Sequence, residues 1–379
     1  MVDARSADEI RQLLAEDPDL PLLDTRPVSD FEEWHIPGAT SFRHAPGEPL
    51  AVEELRSIIP SDADRIVTVC GMGISSFEFA EAVESHGFPP VTVLVDGMVG
   101  WSRVYDRTEI DLGGSIRCWQ LQRLAKGCLG YVLACPATDS AVAVDAPIHI
   151  DEVTDLLEAE DLELEAVVDT HIHADHVSGG PRLADRHDVP YYIGDNASDR
   201  GLRHAHEPLG DEDRLTVGTL ELTSRHTPGH TSDMVTIDVE DGSALLTADT
   251  LFVDSVGRTE LESAEAATQR ARELYESITE TLFSYPDEAI VLPGHYDPEG
   301  DRLHPPDTPM SATLGEIHEG VDLLGADIDT FVETVTARTT AQPPNYEAII
   351  LVNLGGRPPP ADAVITQLEL GPNRCAATS

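Results

Sequence analysis

The sequence predicts two α/β domains in tandem: a small parallel sheet flanked by helices, then a larger strand-rich frame whose strands end in loops bearing histidine and aspartate. Three observations carry this reading. The chain has 379 residues, 41% hydrophobic and 25% charged, which is ordinary material for packed cores and more length than one core usually organises. Up to about residue 106, strand and helix patterns alternate at the spacing of a parallel sheet. Beyond about residue 116, short apolar β segments run one after another into polar loops.

Taken in order, residues 7–16 read as an acidic amphipathic helix, 20–23 (Leu-Pro-Leu-Leu) as an apolar strand and 66–69 (Ile-Val-Thr-Val) as another. A helix over 75–86 and a strand over 91–95 follow. The polar, glycine-containing stretch 106–114 marks a boundary. Strands at 129–134 and 141–144 open the second pattern, and four later strands, at 166–168, 220–223, 244–246 and 289–292, each lead straight into a loop holding His or Asp. Helices over 151–160 and 264–283 flank them, and a helical stretch over 312–338 precedes an end rich in proline and glycine that contains Pro358, Pro359 and Pro360. The expected organisation is a first domain over 1–108, a linker over 109–115, a second domain over 116–300, and a C-terminal extension over 301–379 packed on the second domain.

Charge excludes whole classes of partner. Asp and Glu number 70 against 24 Lys and Arg, a net charge of −46, so phosphate backbones and anionic lipid surfaces are repelled; neither nucleic acid nor membrane is expected to bind. The only lysine is Lys126, and the acids are spread along the whole chain. Such self-repulsion is tolerable when the Debye length is about 3 Å, near 1 M salt, and destabilising when it is about 10 Å, which points to a high-salt cytoplasm. No apolar run approaches ~18 residues, and the start Met1-Val2-Asp3-Ala4-Arg5 leads into an acidic amphipathic stretch, so a cytoplasmic location is expected. The five cysteines (Cys70, Cys118, Cys128, Cys135, Cys375) contain no C-x-x-C pair, and neither a disulfide framework nor a thiolate zinc site is expected.

The chemistry concentrates in two places. Thr170-His171-Ile172-His173-Ala174-Asp175-His176 follows an apolar strand and packs three imidazoles and a carboxylate into six residues. Only a turn converges them, since alternate residues of a strand face opposite ways. Later strand ends add His230, Asp249 and His295, so the candidate metal ligands are His171, His173, Asp175, His176, His230, Asp249 and His295. Imidazole with carboxylate suits Zn²⁺ or Fe²⁺, and Asp249 is placed either to bridge two ions or to complete a two-His-one-carboxylate iron site.

This pattern resembles the metallo-β-lactamase-fold superfamily, over about residues 116–300. The resemblance implies an αββα sandwich with its ligands on loops at one edge. It also implies one of two chemistries: a dizinc thioesterase of the glyoxalase II type, or a mononuclear iron persulfide dioxygenase whose ligands would be His171, His230 and Asp249. The segment Asp254-Ser255-Val256-Gly257-Arg258-Thr259-Glu260 resembles persulfide dioxygenases and their rhodanese-fused relatives, as do Met310, Thr313-Leu314-Gly315-Glu316, Pro343-Pro344-Asn345 and Asn353. Asp175 and Arg258 are the candidate catalytic side chains here; Arg258 is suited either to a substrate carboxylate or to a pair with Asp254 or Glu260.

The second place is Cys70, at the end of the 66–69 strand, followed by Gly71-Met72-Gly73-Ile74-Ser75-Ser76 and a helix. Backbone N–H groups at a helix start stabilise a thiolate or persulfide. With Asp24-Thr25-Arg26, the stretch from Phe31 to Ala39, and Asp96-Gly97-Met98-Val99-Gly100-Trp101, the loop resembles rhodaneses over about residues 6–105. It departs from them in carrying no arginine after the cysteine, so anionic donors such as thiosulfate are expected to bind less well. Cys70 is the candidate persulfide carrier, Asp24 and Arg26 are expected to form a structural ion pair, and the other four cysteines to be core or surface residues.

The function expected is oxidation of the sulfane sulfur of a low-molecular-weight thiol persulfide by O₂ at a mononuclear Fe²⁺, with an N-terminal sulfurtransferase domain. The alternatives are a hydrolase with two Zn²⁺ acting on a thioester of a small thiol, and a sulfur-carrier or sensor module with a structural metal. Arg258, Arg338 and Arg357 are candidates for gripping the thiol, and assembly into a homo-oligomer is compatible with the chain. The charge reading predicts loss of the folded state on dialysis to low salt; a far-UV spectrum and melting temperature unchanged by dialysis would contradict it.

Overall fold

The computed structural model describes residues 2–114, 116–298, 303–337, 342–357, 360–371 and 373–377; Arg338, Pro358 and Pro359 lie outside them. The N-terminal sheet has five parallel strands in the order Asp3–Arg5, Val91–Leu94, Ile66–Val69, Leu22–Asp24, Thr40–Ser41. Its three inner strands are buried along their whole length, as the continuous Leu/Val/Ile runs require of a sheet covered on both faces. Helix Ala7–Glu16 is set by a capping box between Ser6 and Glu9. Helix Ser75–Ser85 leaves the cysteine loop with Phe79, Ala80 and Val83 turned onto the sheet.

Two further sheets stack face to face. One has seven strands, ordered Glu207–Leu209, Tyr191–Gly194, Glu163–Asp169, Ser140–Val144, Cys128–Cys135, Arg117–Arg123, Tyr105–Asp111; the other has six, ordered Arg214–Val217, Leu220–His226, Val235–Val239, Ala244–Ala248, Ile290–Pro293, Ala312–Thr313. Leu133, Val142 and Val168 from the first interdigitate with Leu222, Ile237 and Leu246 from the second. Helices Asp151–Glu160 and Gly180–His187 cover the outer face of one sheet, and Ala267–Glu276 with Ile328–Ala337 cover the other, which makes an αββα sandwich.

Several expected elements change. Residues 109–111, read as the start of a linker, belong to the strand Tyr105–Asp111, which pairs along its whole length with Arg117–Arg123. Its polar side chains alternate with buried Thr108 and Ile110, so composition alone looks like a linker while the period is that of an edge strand. The 264–283 helix breaks at Glu276 into a π turn and a 3₁₀ turn, and the 312–338 stretch splits into Leu314–Gly320 and Ile328–Ala337. Among the described residues no helix is long and apolar enough to cross a membrane.

The C-terminal extension packs on the sandwich and also reaches the N-terminal domain. Leu370, with Leu124 and Ala125 of the sandwich, joins the N-terminal core around Trp34, Met98 and Trp101, and Trp34 Nε1 donates to the Ala125 carbonyl at 2.6 Å. Beneath this seam Arg123 Nη1 donates to Glu369 Oε2 at 2.7 Å and its Nε to the Ser102 carbonyl at 2.8 Å, with both side chains buried. The other Glu369 oxygen accepts from Val177 N at 2.6 Å, one residue beyond His176. Lys126 is buried too and caps the Glu369 and Gly371 carbonyls, so every exposed cation of the described chain other than histidine is arginine.

Removing one partner of a buried ion pair strands the other charge. Glu369→Ala is therefore expected to lower stability by about 3–5 kcal/mol in denaturant unfolding at high salt. A loss under about 1 kcal/mol, the size of an exposed pair, would contradict this account of the seam.

Candidate metal centre and cysteine loop

Strand Glu163–Asp169 delivers the first ligand loop, which is held at both ends. Asp145, at the end of the neighbouring strand, accepts from Thr170 N and Thr170 Oγ1, each at 2.8 Å. Asp233 accepts from Ile172 N at 2.9 Å, and Asn353 of the C-terminal extension donates to the carbonyls of His173 (2.9 Å) and His176 (2.8 Å). His171 Nδ1 donates to Thr170 Oγ1, whose own proton goes to Asp145, so His171 presents its Nε2 lone pair.

His230 sits in the turn between Leu220–His226 and Val235–Val239. Gly229, at φ +148°, lets that turn lie against helix Ala267–Glu276, where a Cβ would fall 2.5 Å from the Leu274 Cα. His230 Nδ1 donates to the Arg258 carbonyl at 2.8 Å, which fixes its tautomer and frees Nε2. Asp249 follows Ala248, a non-glycine residue held at φ +47° where the strand turns into the site.

His171 Nε2, His230 Nε2 and Asp249 Oδ2 are buried without a hydrogen-bond partner, and they lie within 4.8 Å of one another. Asp249 Oδ2 is 3.4 Å from His230 Nε2 and 3.9 Å from His171 Nε2. Orphaned buried acceptors cost about 1–3 kcal/mol each, and a cation among them removes that cost. The donor set, two imidazoles and one carboxylate, fits a two-His-one-carboxylate iron site. Burial holds His171 well below the ordinary histidine range, and His230 below it, so both rings stay neutral as ligands must be.

The other predicted ligands are arranged differently. Asp175 accepts from His176 Nδ1 (3.0 Å), His295 Nε2 (3.0 Å) and the Cys128 thiol (3.2 Å). His295 Nδ1 donates to Asp249 Oδ1 at 2.6 Å, so His295 uses both ring nitrogens as donors between two carboxylates. Burial pushes against that charge, but Asp249 and Asp175 outweigh it and raise His295 well above the usual range. Asp175 is driven the opposite way: burial raises it, and the flanking histidines bring it well below the carboxylate range. His173 turns aside, its Nε2 donating to Asp145 Oδ1 at 3.2 Å, and its Nδ1 is buried and unpartnered. The seven predicted ligands thus divide into a trio with open lone pairs, a mutually hydrogen-bonded trio, and His173 beside His171.

Arg258 is buried and bonded to Glu260 and to the Arg374 carbonyl, the pairing option. What it contributes is the carbonyl that orients His230. Arg357 is exposed, and Arg338 lies outside the described residues. Cys128 and Cys375, taken for ordinary core or surface residues, lie at the site: Cys128 beside Asp175, His176 and His295, and Cys375 within 4.8 Å of ligand atoms of Asp249 and His295. The first is brought there by an isolated bridge to His295 that links the two sheets, a long-range contact with no local sequence signal.

Cys70 closes a second pocket of backbone. Met98 N donates to the Cys70 carbonyl at 2.9 Å and Val99 N to the Gly71 carbonyl at 3.2 Å. At Gly97, φ +55°, a Cβ would fall 2.1 Å from the Cys70 oxygen, so no other residue fits. Burial opposes ionisation of the thiol, but the hydroxyls of Ser75 and Ser76 and the amides of Ser76 and Met72 outweigh it and lower its pKa. Arg26 pairs with Asp24 through Nε and Nη2 beneath the loop, as a structural ion pair does.

Comparisons with known proteins bear on both halves. Residues 128–295 match the metallo-beta-lactamase superfamily model and residues 6–104 the rhodanese-like domain model. An uncharacterized protein of Mycobacterium leprae is 34% identical over 194 residues, 44% of this chain and 86% of that one. A probable hydroxyacylglutathione hydrolase of Schizosaccharomyces pombe is 30% identical over 172 residues, 44% of this chain and 62% of that one. Among solved structures, ETHE1 from Myxococcus xanthus superposes with a TM-score of 0.54 at 26% identity, covering 63% of this chain and 98% of that one. A metallo-beta-lactamase from Staphylococcus aureus shares the fold, with a TM-score of 0.57 at 23% identity over 64% of this chain and 73% of that one. With the αββα sandwich and the five-stranded parallel sheet already in view, the chain belongs to the metallo-beta-lactamase superfamily and carries a rhodanese-like domain ahead of its metallo-beta-lactamase domain.

Proposed function

We propose that the chain is a persulfide dioxygenase that oxidises the sulfane sulfur of a low-molecular-weight thiol persulfide to sulfite, with one iron held by His171, His230 and Asp249. One observation carries the reading: those three buried atoms lack partners, whereas Asp175, His176 and His295 already satisfy one another. A second ion there would have to displace the protons that His295 donates to Asp175 and Asp249.

Bound iron would supply a redox-active centre for oxidation of the sulfane sulfur by O₂. The chain's own residues prepare that centre. The Arg258 carbonyl and Thr170 Oγ1 lock the two imidazole tautomers, and His295 pins Asp249 Oδ1 so that Oδ2 faces the trio. Burial of all three ligands keeps bulk water from competing for them. In the overall balance, RSSH, O₂ and water give RSH and sulfurous acid: the sulfane sulfur is oxidised, O₂ is reduced, and the thiol leaves carrying one proton. The rhodanese-like domain suits this chemistry because Cys70, as a carrier, handles sulfur of the same oxidation state.

A dizinc thioester hydrolase remains the second reading, favoured by the unpartnered His173 Nδ1 beside His171 and by the relative described as a probable hydroxyacylglutathione hydrolase. Metal analysis of freshly purified protein in high salt, run beside oxygen consumption with a thiol persulfide and cleavage of a thioester, separates the two. The expected result is one iron per chain with persulfide-dependent oxygen uptake. Two zincs per chain with thioester cleavage and no oxygen uptake would overturn the proposal.

A further inference from the structure

Beside the cysteine loop lies a groove of about 300 Å³ between the two domains. Its walls are Gly71 and Met72 of the loop, Met98 and Val99 of helix Gly97–Trp101, Trp34, and Leu370 from the C-terminal segment. Cys70 stands one residue behind that wall. We propose that this groove binds the sulfur donor of Cys70, and that it takes a low-molecular-weight persulfide with an uncharged, apolar body. The inference rests on the reading of Cys70 as a persulfide carrier.

Charge complementarity selects the occupant. Among the described residues Arg26 is the one cation lining the groove, and its Nε and Nη2 are occupied by Asp24, with Nη2 also on the Trp34 carbonyl. Asp30 and Glu33, both exposed, put two carboxylates on the rim. The loop itself carries no cation from Gly71 to Ser76. An anionic donor therefore meets repulsion without a compensating guanidinium. An apolar body meets the opposite. Trp34, Met72, Met98, Val99 and Leu370 line the groove, and Met72 is 63% exposed, one of the six exposed large hydrophobics among the described residues, on a chain whose net charge is −46. An apolar side chain left in water on the wall of a cavity marks a contact surface.

The step is a sulfur transfer without net oxidation. The Cys70 thiolate attacks the terminal sulfur of RS–SH, the donor S–S bond breaks as the new S–S bond forms, and Cys70–S–SH results. RS⁻ leaves with the electron pair and takes a proton from water. The groove holds R, and the backbone amides around Cys70 hold the charge.

Full-length protein in high salt is incubated with benzyl persulfide, with the persulfide of 3-mercaptopropionate, or with thiosulfate, and sulfur on Cys70 is followed by mass spectrometry with Cys70→Ser as control. Each rate is divided by that donor's rate toward a free thiol in the same buffer. Benzyl persulfide is expected to load Cys70 at least tenfold faster than either anionic donor, and Met72→Arg, a change at an exposed position, to shrink that ratio at least fivefold. Equal loading by the anionic donors, or a ratio unmoved by Met72→Arg, overturns the groove assignment and leaves Cys70 a carrier. No sulfur on Cys70 from any donor overturns the carrier reading and the groove assignment with it.

Discussion

Three buried lone pairs with nothing to bond organise this molecule. His171 Nε2, His230 Nε2 and Asp249 Oδ2 come from the ends of strands in two different sheets, and the αββα sandwich is what brings those ends to one edge. Left without a cation, the trio is a local cost the fold must carry; with one, it is satisfied. The surrounding bonds make sense in that light. Thr170, the Arg258 carbonyl and His295 each fix one ligand's remaining polar atom, so the free atoms can only face inward.

The neighbouring residues of the same motif do a different job. His295 lies between Asp249 and Asp175 as a double donor, and with His176 it balances carboxylates that burial would otherwise drive toward the neutral form. The C-terminal extension completes the support. Asn353 and Glu369 hold the loop that carries His173 and His176, and Arg123, which pairs with Glu369, reaches back to the last turn of the helix whose first amides hold the Cys70 loop. The two domains are therefore joined by buried polar bonds rather than by apolar contact alone.

Much of this was legible in the sequence, because the metal residues are short-range motifs placed directly after apolar strands. The three inner strands of the parallel sheet, six of the thirteen sandwich strands and the cysteine turn announce themselves by periodicity or by glycine, whereas strands such as Arg117–Arg123, Tyr191–Gly194 and Val235–Val239 do not. What was not legible depends on pairing across the sheets. Residues 109–111 have a linker's composition and a strand's register, which shows only once Arg117–Arg123 lies alongside. Cys128 and Cys375 reach the site through a strand bridge and a C-terminal tail that carry no motif. Spacing could not say that Asp145 would claim one nitrogen of His173, or that Glu260 would claim the guanidinium of Arg258.

The central claim is that one ion, iron, sits between His171, His230 and Asp249. Anomalous diffraction from crystals of the purified protein, recorded on both sides of the iron and zinc absorption edges, tests it most directly. The account predicts one peak, at the iron edge, within bonding distance of those three side chains. A second peak enclosed by Asp175, His176 and His295, or a zinc signal at both positions, would contradict it.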